Sequence, residues 1–485
     1  MKTNELPFIH LIKTPMNNYA YDVNTNAFVK LSEETYAYLE EMQDKDDPNL
    51  PAPAGVEASL NHLKAQGFFS SKRPKKIEHN QCHVLEDRLS QNVQAMTLQV
   101  TQDCNFRCTY CTYRASDFQY QREHAAKKMP LETAIKAIDF LAKHSGNQKG
   151  VNIGFYGGEP LLEFEMMKTL IEYAEDQFLG KELTFNLTTN ASLLTLEVAK
   201  FFLEHNVSIS VSLDGTPKIH DRSRKFAATG EGTFDVIIKN LTDIKEALPQ
   251  YWNEKVSLIV VIDPRYPCDE LHAYFGKDGF FRDISILSML IDDTFSVEKH
   301  LPSKAYMRMS DQHLFKAYLS ILGKYPRDKV SKIAEQSFFL GLNSNEINRK
   351  MTTSVSEVMA PSGPCIPGEQ RLFVNVDGLL YPCERLNENS DAMIIGNLND
   401  GFDIEKAKNI LNVGALTEED CKNCWAICRC VVCAPLCDNN GVLCPELKRS
   451  LCDDIKRSVE HSFKDQLMLV DFDIPIDTIR EERVV

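Results

Sequence analysis

The sequence lacks any run of eighteen apolar residues and any N-terminal signal pattern, although apolar residues make up 43% of its 485 positions. A chain without such a run is not expected to span a membrane, and one without a signal pattern is expected to stay in the cytoplasm. Positive charge is also scarce, because 54 Lys and Arg face 69 Asp and Glu, for a net charge of -15. Phosphate binding needs clustered positive charge, so a nucleic-acid partner is not expected.

Cysteine, by contrast, is abundant, with 15 residues, of which ten lie between Cys365 and Cys452. The odd count and the missing signal pattern argue against a secreted framework of disulfides. We therefore expect the clustered cysteines to bind metal clusters. The length of 485 residues exceeds what one hydrophobic core usually serves and predicts two to four domains.

Thirteen residues, TQDCNFRCTYCTY, place three cysteines at C-x3-C-x2-C spacing: Cys104, Cys108 and Cys111. Thiolates this close together suit a soft metal or an iron-sulfur cluster. A cubane cluster needs four ligands, so three thiolates leave one iron open for chemistry. The alternative that the spacing leaves open is a zinc site whose fourth ligand lies elsewhere, such as His124.

An aromatic residue, Tyr110, precedes the third cysteine, and the pattern C-x3-C-x-aromatic-C resembles the signature of the radical S-adenosylmethionine (radical SAM) enzymes. The resemblance implies a four-iron, four-sulfur cluster held by the three cysteines, which are thereby the candidate catalytic residues. It also implies that the amino and carboxylate groups of S-adenosylmethionine (SAM) chelate the open iron. Tyr110 is a candidate cofactor-binding residue on the same ground.

From about Gln94, six apolar strand candidates alternate with helical segments such as Leu131–Ala142, whose apolar residues share one face after Pro130. The alternation predicts an α/β fold with a parallel sheet, closed or partly closed as a barrel; the family resemblance implies a partial (β/α)6 barrel. In such folds the active site collects at the carboxyl ends of the strands. The predicted strands are 96–100, 151–156, 183–188, 207–213, 256–262 and 284–291.

Polar motifs follow the ends of these strands. Gly157-Gly158-Glu159-Pro160 comes directly after the second strand; its glycines permit close approach to a ligand and its carboxylate can accept from an ammonium group. Taken alone, the tetrapeptide is a glycine turn before a helix. Beside the cysteine loop it resembles the GGEP motif that holds the amino group of SAM. At the end of the third strand, Thr189 and Asn190 offer a hydroxyl and an amide as candidate cofactor-binding groups. After the fourth strand, Ser212-Leu213-Asp214-Gly215 is followed by His220-Asp221 and Arg224, a run that resembles a cofactor-lining segment in the peptide-modifying branch of the family. This resemblance adds Ser212, Asp214 and Arg224 as candidate cofactor-binding residues.

The first seventy residues predict a small domain of three short strands, a helix capped by Ser32, and a second helix from about Gly55 to Gln66. This winged-helix-like pattern resembles the precursor-recognition element of peptide-modifying enzymes, which implies that a peptide leader adds as a strand to its sheet edge. The predicted divisions are a leader-recognition domain (1–70), a linker (71–92), a radical SAM barrel (93–345), a cysteine-rich domain (346–466) and an acidic tail (467–485).

A second cysteine system begins at a hairpin signal, Asp377-Gly378 between apolar runs, which Cys365 and Cys383 flank. Further downstream, cysteines at C-x2-C spacing also suit zinc ribbons. The full order, C-x12-G-x4-C followed by C-x2-C-x5-C, resembles the SPASM extension, which carries two auxiliary iron-sulfur clusters.

The SPASM resemblance implies two ligand sets in this region. The first is Cys365, Cys383 and Cys437, and the second is Cys421, Cys424, Cys430 and Cys444. Because the spacing after Cys430 departs from the family pattern, Cys433 stands as a substitute for Cys437. The surplus cysteines are Cys428, Cys433 and Cys452.

Together the motifs resemble the maturases that form thioether links in cysteine-rich ribosomal peptides, the sactipeptide and ranthipeptide makers. That resemblance implies three 4Fe-4S clusters, cleavage of SAM to a 5'-deoxyadenosyl radical, removal of hydrogen from a carbon of the precursor peptide, and bonding of a substrate thiolate to that carbon. A flavodoxin- or ferredoxin-type protein is the expected reductant. The alternatives are a formylglycine-forming sulfatase maturase or another SPASM peptide-modifying enzyme and, in a different class, a non-catalytic metal-binding peptide scaffold.

Overall fold

The computed structural model describes residues 5–114, 121–294, 296–344 and 352–474, the side chains of 342–344 excepted. The strands in this part of the chain are β1 Ile9–Lys13, β2 Asn18–Asp22, β3 Ala27–Leu31, β4 Lys76–Ile77, β5 Ala95–Thr101, β6 Gly150–Gly157, β7 Glu182–Thr189, β8 Val207–Ser212, β9 Val256–Ile262, β10 Ser285–Leu290, β11 Val358–Met359, β12 Leu372–Val374, β13 Leu379–Tyr381, β14 Gly396–Asn397 and β15 Gly401–Phe402.

The α-helices of the same residues lie between and after these strands. They are α1 Glu33–Asp44, α2 Ala54–Ala65, α3 Leu85–Gln91, α4 Leu131–His144, α5 Phe164–Gln177, α6 Leu196–Glu204, α7 Pro217–Ser223, α8 Phe234–Ala247, α9 Pro249–Lys255, α10 Asp269–Tyr274, α11 Lys304–Ile321, α12 Lys332–Ser344, α13 Ile404–Leu411, α14 Glu418–Lys422 and α15 Pro445–Asp471. None of the described helices is both long enough and apolar enough to cross a bilayer.

Ten strands form one sheet in the order β10-β9-β8-β7-β6-β5-β12-β13-β14-β15. The six predicted strands are β5 to β10, and each runs parallel to the next in chain order. Parallel strands joined by helices are covered on their faces, which is why these segments are so apolar; α4, for example, buries Ala134, Ile138 and Leu141. The predicted α/β fold is confirmed. The sheet is not closed, because β10 and β15 form its two edges.

The predicted hairpin continues the same sheet. β12 and β13 pair antiparallel around the Asp377-Gly378 turn, where Gly378 has φ +80°, a conformation that glycine adopts without a steric penalty. On its other side β12 runs parallel to β5, with Leu372 opposite Met96. The cysteine-rich region therefore shares its main hydrophobic core with the barrel instead of forming a separate body.

The N-terminal residues form the predicted three-stranded meander, in the order β1-β2-β3. Ser32 caps α1 as expected, because its side chain accepts a hydrogen bond from the backbone N–H of Thr35 at 3.2 Å. A small core of its own lies between the meander and the two helices, with Leu39 and Leu60 among its buried members. The sequence pattern thus leads to the expected local structure.

A second contact of the meander joins it to the other end of the chain. Asp471, the last residue of α15, accepts hydrogen bonds from Thr14 Oγ1 at 2.6 Å and from Asn17 Nδ2 at 2.7 Å. The His10 ring of β1 stacks on Trp425 with 3.7 Å between ring centroids. The N-terminal strands are therefore docked against the cysteine-rich region.

Two predicted segments differ from what the structure shows. The predicted linker is ordered, because the 3-10 helix at 80–84 and α3 place Leu85 and Leu89 in the main core. The sequence beyond Cys452 predicts an amphipathic helix from Asp453 to about Gln466, but α15 begins at Pro445, since proline at the first helical position costs no hydrogen bond. Residues 475–485 of the predicted acidic tail, and the predicted boundary at 345/346, lie outside the described residues.

Candidate active site and cysteine clusters

The loop that carries Cys104, Cys108 and Cys111 follows β5 and is fixed from two sides. On one side, the backbone N–H of Glu159 donates to the Asp103 carbonyl at 2.9 Å. On the other side, the backbone N–H of Thr109 donates to the Ser223 carbonyl at 3.0 Å at the end of α7. The loop is thus held by backbone contacts at the carboxyl ends of the strands, where the sequence predicted an active site.

The two glycines of the GGEP motif allow this close approach. A Cβ atom on Gly157 would lie 2.0 Å from the Thr101 carbonyl oxygen, and one on Gly158 would lie 2.0 Å from the Asp103 carbonyl oxygen. Gly157 also has φ +148°. Any side chain here would push β6 away from the cysteine loop, so these glycines position the loop as well as facing the site.

The three cysteines open into one cavity of about 300 Å³. It contains most of the predicted cofactor-binding residues. Those that line it are Tyr110, Gly157, Gly158, Glu159, Thr189, Asn190, Ser212 and Arg224, together with Phe106, Tyr113, His124, Tyr156, Met289 and Asp292. Residues from several separate chain segments therefore converge on the cysteine loop.

Glu159 is a buried carboxylate with an unusual pKa. Its Oε1 accepts from Thr189 Oγ1 at 2.6 Å, and its Oε2 accepts from the backbone N–H of Asn190 at 2.7 Å. Only 1% of the residue is exposed, and burial raises its pKa to about 7 despite these donors. A cation in the cavity would favour the ionised form, so the site is suited to an ammonium group.

Arg224 and Asp214 form a buried ion pair next to the cysteines. Arg224 Nε donates to Asp214 Oδ2 at 2.9 Å and Nη2 to Oδ1 at 3.2 Å, and the Tyr110 hydroxyl also donates to Asp214. Asp214 accepts a further bond from the Val261 backbone N–H at 3.1 Å. Arg224 is therefore oriented by Asp214, and direct binding of a SAM carboxylate by its guanidinium group stays a prediction.

The thiols of the loop are strongly desolvated. Burial raises the pKa of Cys104 and Cys108 to about 12 and also raises the pKa of Cys111. His124 Nε2 lies 3.4 Å from Cys111 Sγ, and burial lowers the pKa of His124 to about 4. These groups are neutral at pH 7 without a metal, whereas a bound metal replaces the thiol protons.

The donor set fits an iron-sulfur cluster better than a single zinc ion. All three cysteines are free of disulfides and face the same cavity. Among the described residues, no three His, Cys, Asp or Glu side chains converge closely enough to hold one metal ion. A cluster of four irons spans its ligands over a larger distance than the tetrahedral zinc of a structural site.

A second cavity, of about 210 Å³, is lined by four cysteines of the C-terminal region: Cys421, Cys424, Cys430 and Cys452. Three of these belong to the predicted second set, but Cys452 takes the place predicted for Cys444. Cys444 is the N-cap of α15, and its Sγ donates to the Glu446 carboxylate at 3.2 Å. Cys452 lies within α15, two turns further along the chain.

Cys365 and Cys383, which belong to the first predicted auxiliary set, lie near Cys433. Burial raises the pKa of Cys383 to about 12, and the nearby Cys433 contributes to that shift. Desolvation of its thiol raises the pKa of Cys433 to about 11, with contributions from Cys365 and Cys437. Cys365 and Cys433 are exposed, whereas Cys437 is buried in the main core. Cys433, the substitute, thus lies near Cys365, Cys383 and Cys437, and the choice between Cys433 and Cys437 as a ligand stays a prediction.

Two residues of α15 that the sequence did not single out belong to the second cavity. Lys448 is only 2% exposed, and its Nζ donates to Cys421 Sγ at 3.1 Å. Cys452 follows four residues later on the same helical face. The signal that predicts both is Pro445 as a helix start, since a helix from there places positions 448 and 452 side by side.

The sequence is similar to those of several known proteins. Residues 98–272 match the family model of the Radical SAM superfamily. The cysteine-type anaerobic sulfatase-maturating enzyme of Clostridium novyi is 23% identical over 343 residues, which are 67% of this chain and 84% of that protein. The radical SAM cyclopropyl synthase TigE of Paramaledivibacter caminithermalis is 25% identical over 198 residues, 39% of this chain and 41% of TigE.

Solved structures give the same fold. Native anSMEcpe with bound AdoMet and the Kp18Cys peptide superimposes with a TM-score of 0.56 at 20% identity, covering 79% of this chain and 99% of that one.

An uncharacterized protein of Methanocaldococcus jannaschii is 31% identical over 142 residues, 29% of this chain. The match spans only 46% of that archaeal protein and 41% of TigE. The cysteine-rich C-terminal region is consistent with a SPASM domain.

Proposed function

We propose that this chain, whose residues 98–272 match the family model of the Radical SAM superfamily, forms thioether crosslinks between cysteine thiols and carbon atoms of a ribosomally made, cysteine-rich precursor peptide. The relatives include enzymes that mature sulfatases and a cyclopropyl synthase. The class that these relatives share is that of radical enzymes that modify peptides. The thioether product is the finer part of the proposal and rests on the features below.

The first cavity has the groups needed to hold SAM beside a cluster. Cys104, Cys108 and Cys111 would hold the cluster, and SAM bound to it supplies a carbon-centred radical that removes hydrogen from the substrate. Glu159 would accept from the SAM ammonium group, and Asn190 and Ser212 would contact its polar parts. Arg224, fixed by Asp214, places a positive charge where a carboxylate would bind.

The observation that carries the thioether proposal is the cysteine trio Cys365, Cys383 and Cys433. These three cysteines would hold a cluster with one iron left open, and because two of them are exposed, a substrate thiol could reach it. A coordinated thiol is deprotonated, which is the form that bonds to carbon. The buried Cys437 is the competing fourth ligand, and spectroscopy that shows four protein thiolates on this cluster would remove the basis of the proposal.

The N-terminal meander supplies a place for a peptide leader. β3 pairs with β2 on one side, and no strand of the described residues pairs with its other side. An unpaired strand edge accepts an extended peptide through backbone hydrogen bonds. Such a domain suits a leader-bearing precursor better than a folded sulfatase.

The test is mass spectrometry of a cysteine-rich precursor peptide, encoded beside this gene, after anaerobic incubation with the reconstituted enzyme, SAM and dithionite. Each thioether removes two hydrogen atoms from the peptide mass and protects one cysteine from alkylation. A Cys104→Ala variant is the matched control, because it leaves the precursor-binding domain intact. Unchanged peptide mass together with active SAM cleavage would overturn the thioether assignment.

Sulfatase maturation is the second candidate, because the match covers 84% of the Clostridium novyi enzyme. The discriminating substrate is a short sulfatase peptide with the cysteine at the modified position. Conversion of that cysteine to an aldehyde would support this candidate. A metal-binding scaffold without catalysis, the alternative of another class, predicts a colourless protein that contains zinc and does not cleave SAM.

Electrons must reach the first cluster from outside. We propose a flavodoxin- or ferredoxin-type reductant, because such proteins deliver single electrons at low potential. Replacement of dithionite by a reduced flavodoxin in the same assay tests the proposal, and a flavodoxin that supports no SAM cleavage would contradict it.

A further inference from the structure

The second cysteine cavity contains a buried positive charge that has no carboxylate partner. Lys448 is 2% exposed and lines the cavity together with Cys421, Cys424, Cys430 and Cys452. Its Nζ donates to Cys421 Sγ at 3.1 Å and to the Thr417 hydroxyl. Among the described residues, Lys448 forms no ion pair with any Asp or Glu.

A lysine in this position is costly unless something negative lies beside it. Moving an ammonium group out of water costs several kcal/mol even after relaxation, of the order given for buried ions. One hydroxyl and one thiol do not offset that cost. Four thiolates on a 4Fe-4S core carry a net negative charge, and a cluster in the cavity would therefore supply the missing partner.

The other charged groups at this cavity are arranged differently. Arg449 pairs with Asp420 at 2.8 Å, and Lys456 lies 3.8 Å from Asp453, with 39% of its side chain exposed. Both are therefore paired and open to solvent, where charge is screened. Lys448 is the cation of this group that is buried and directed at a cysteine sulfur.

We propose that Lys448 sets the reduction potential of the cluster held by Cys421, Cys424, Cys430 and Cys452, keeping it higher than the cysteines alone would. The proposal rests on the proposed cluster assignment. Reduction adds negative charge to a cluster, and a nearby fixed positive charge stabilises the reduced form. Hydrogen bonds to ligating sulfurs and local charge are known determinants of such potentials.

The buried charge of Lys448 favours electron transfer toward this cluster. A higher potential makes it easier to reduce, so it is suited to receive an electron that leaves the substrate. Lys448 acts through the ligand Cys421 and touches neither substrate nor SAM. Lys448 is thus a positioning residue, and its effect should appear as a shift in the reduction potential of the cluster.

The experiment uses the full chain, reconstituted anaerobically, in a Cys104→Ala/Cys108→Ala/Cys111→Ala background that leaves the auxiliary clusters as the source of the EPR signals. Potentiometric titration is compared for Lys448→Met, which removes the charge at similar length, Lys448→Arg, which keeps it, and Lys456→Met, the exposed control on the same helix. We expect one midpoint to become more negative in Lys448→Met, to stay near that of the parent in Lys448→Arg, and to move much less in Lys456→Met.

The outcomes separate the proposal from the cluster assignment. If the parent background binds no iron or gives no cluster signal, the assignment fails. If the signal is present and Lys448→Met leaves the midpoint unchanged, the role of Lys448 is overturned. Where Lys448→Met does not retain the cluster, iron content decides: retention in Lys448→Arg supports the need for charge, and equal loss in both variants overturns it.

Discussion

The two cysteine cavities differ in the sign of the charge buried beside them. The first has a carboxylate, Glu159, held by hydrogen-bond donors and open to a cavity of about 300 Å³. The second has an ammonium group, Lys448, in a cavity of about 210 Å³. A buried carboxylate favours a bound cation, whereas a buried ammonium favours an anionic cluster. The first cavity is therefore built to bind a further ligand, and the second to hold charge.

The cysteines also reach the two cavities by different routes. Cys104, Cys108 and Cys111 come from one loop whose ends are fixed by neighbouring strands. The second set comes from α14 and the turns that follow it, at 421–430, and from the third turn of α15. Spacing along the chain therefore predicts the ligands of the first set, while tertiary packing decides those of the second.

The largest expected effect comes from the first loop. Cys108→Ala should abolish SAM cleavage and lower the iron content by about four atoms per chain, because a 4Fe-4S cluster is lost with its ligand. Anaerobic iron analysis and detection of 5'-deoxyadenosine check this. Cys268→Ala, a buried cysteine of α10's N-cap that lines neither cluster cavity, is the control and should keep both properties. Loss of equal iron in the control would contradict the prediction.

Next in size is the comparison between two cysteines of the second region. Cys452→Ala should lose or weaken one auxiliary cluster signal, whereas Cys444→Ala should keep it, because Cys452 and not Cys444 faces the cavity. EPR of the reduced proteins in the background without the first cluster measures the difference. The reverse result would restore the ligand set that the sequence pattern favours.

Glu159→Gln removes the buried carboxylate of the first cavity. SAM affinity should fall about 10- to 100-fold, since a hydrogen bond to a charged group is worth about 1.5–3 kcal/mol. The pKa of Glu159 is about 7, so its ionised fraction grows between about pH 6 and 8, and the ionised carboxylate is the stronger acceptor for an N–H of the SAM amino group. Affinity should therefore rise more steeply with pH in the parent than in the variant.

Equilibrium dialysis with labelled SAM measures both effects of the Glu159 substitution. Glu165→Gln, at the exposed start of α5, is the matched control and should bind as the parent does. A Glu159→Gln variant whose affinity rises over this pH range as steeply as that of the parent would show that another group is responsible.

The smallest effect concerns the packing of the second region against the N-terminal strands. His10→Ala removes the ring that stacks on Trp425, and an aromatic pair contributes about 0.5–1.5 kcal/mol. The midpoint of thermal unfolding should fall slightly, and SAM binding at the first cavity should not change. His62→Ala, an exposed histidine of α2, provides the control. A loss of SAM affinity in His10→Ala that His62→Ala does not show would mean that the N-terminal strands and the first cavity are coupled.

Much of the barrel follows from the sequence, because its determinants are local. Apolar runs of strand length, the helix after Pro130 and the Asp377-Gly378 turn each carry their own signal, and the cysteine loop is one continuous segment. Gly157 and Gly158 were expected near a ligand, and the structure adds that they let β6 approach the loop. Local signals thus position the first site.

What could not be predicted depends on contacts between distant segments. The pairing of Arg224 with Asp214 depends on how α7 returns the chain to the end of β8. The inclusion of Cys452 depends on the start of α15, eight residues earlier than predicted. The docking of His10 on Trp425 joins surfaces more than four hundred residues apart in the chain. No spacing rule reports such contacts.

The parallel pairing of β5 with β12 has a consequence for the positions of two cysteine groups. β5 ends three residues before Cys104, and β13, the partner of β12, ends two residues before Cys383. Because β12 runs parallel to β5 and β13 antiparallel to β12, Tyr381 is level with Thr97, and Cys383 follows toward the amino end of β5 while Cys104 follows its carboxyl end. The sheet therefore holds the two cysteine groups apart along the strand direction, in which each residue spans about 3.3 Å.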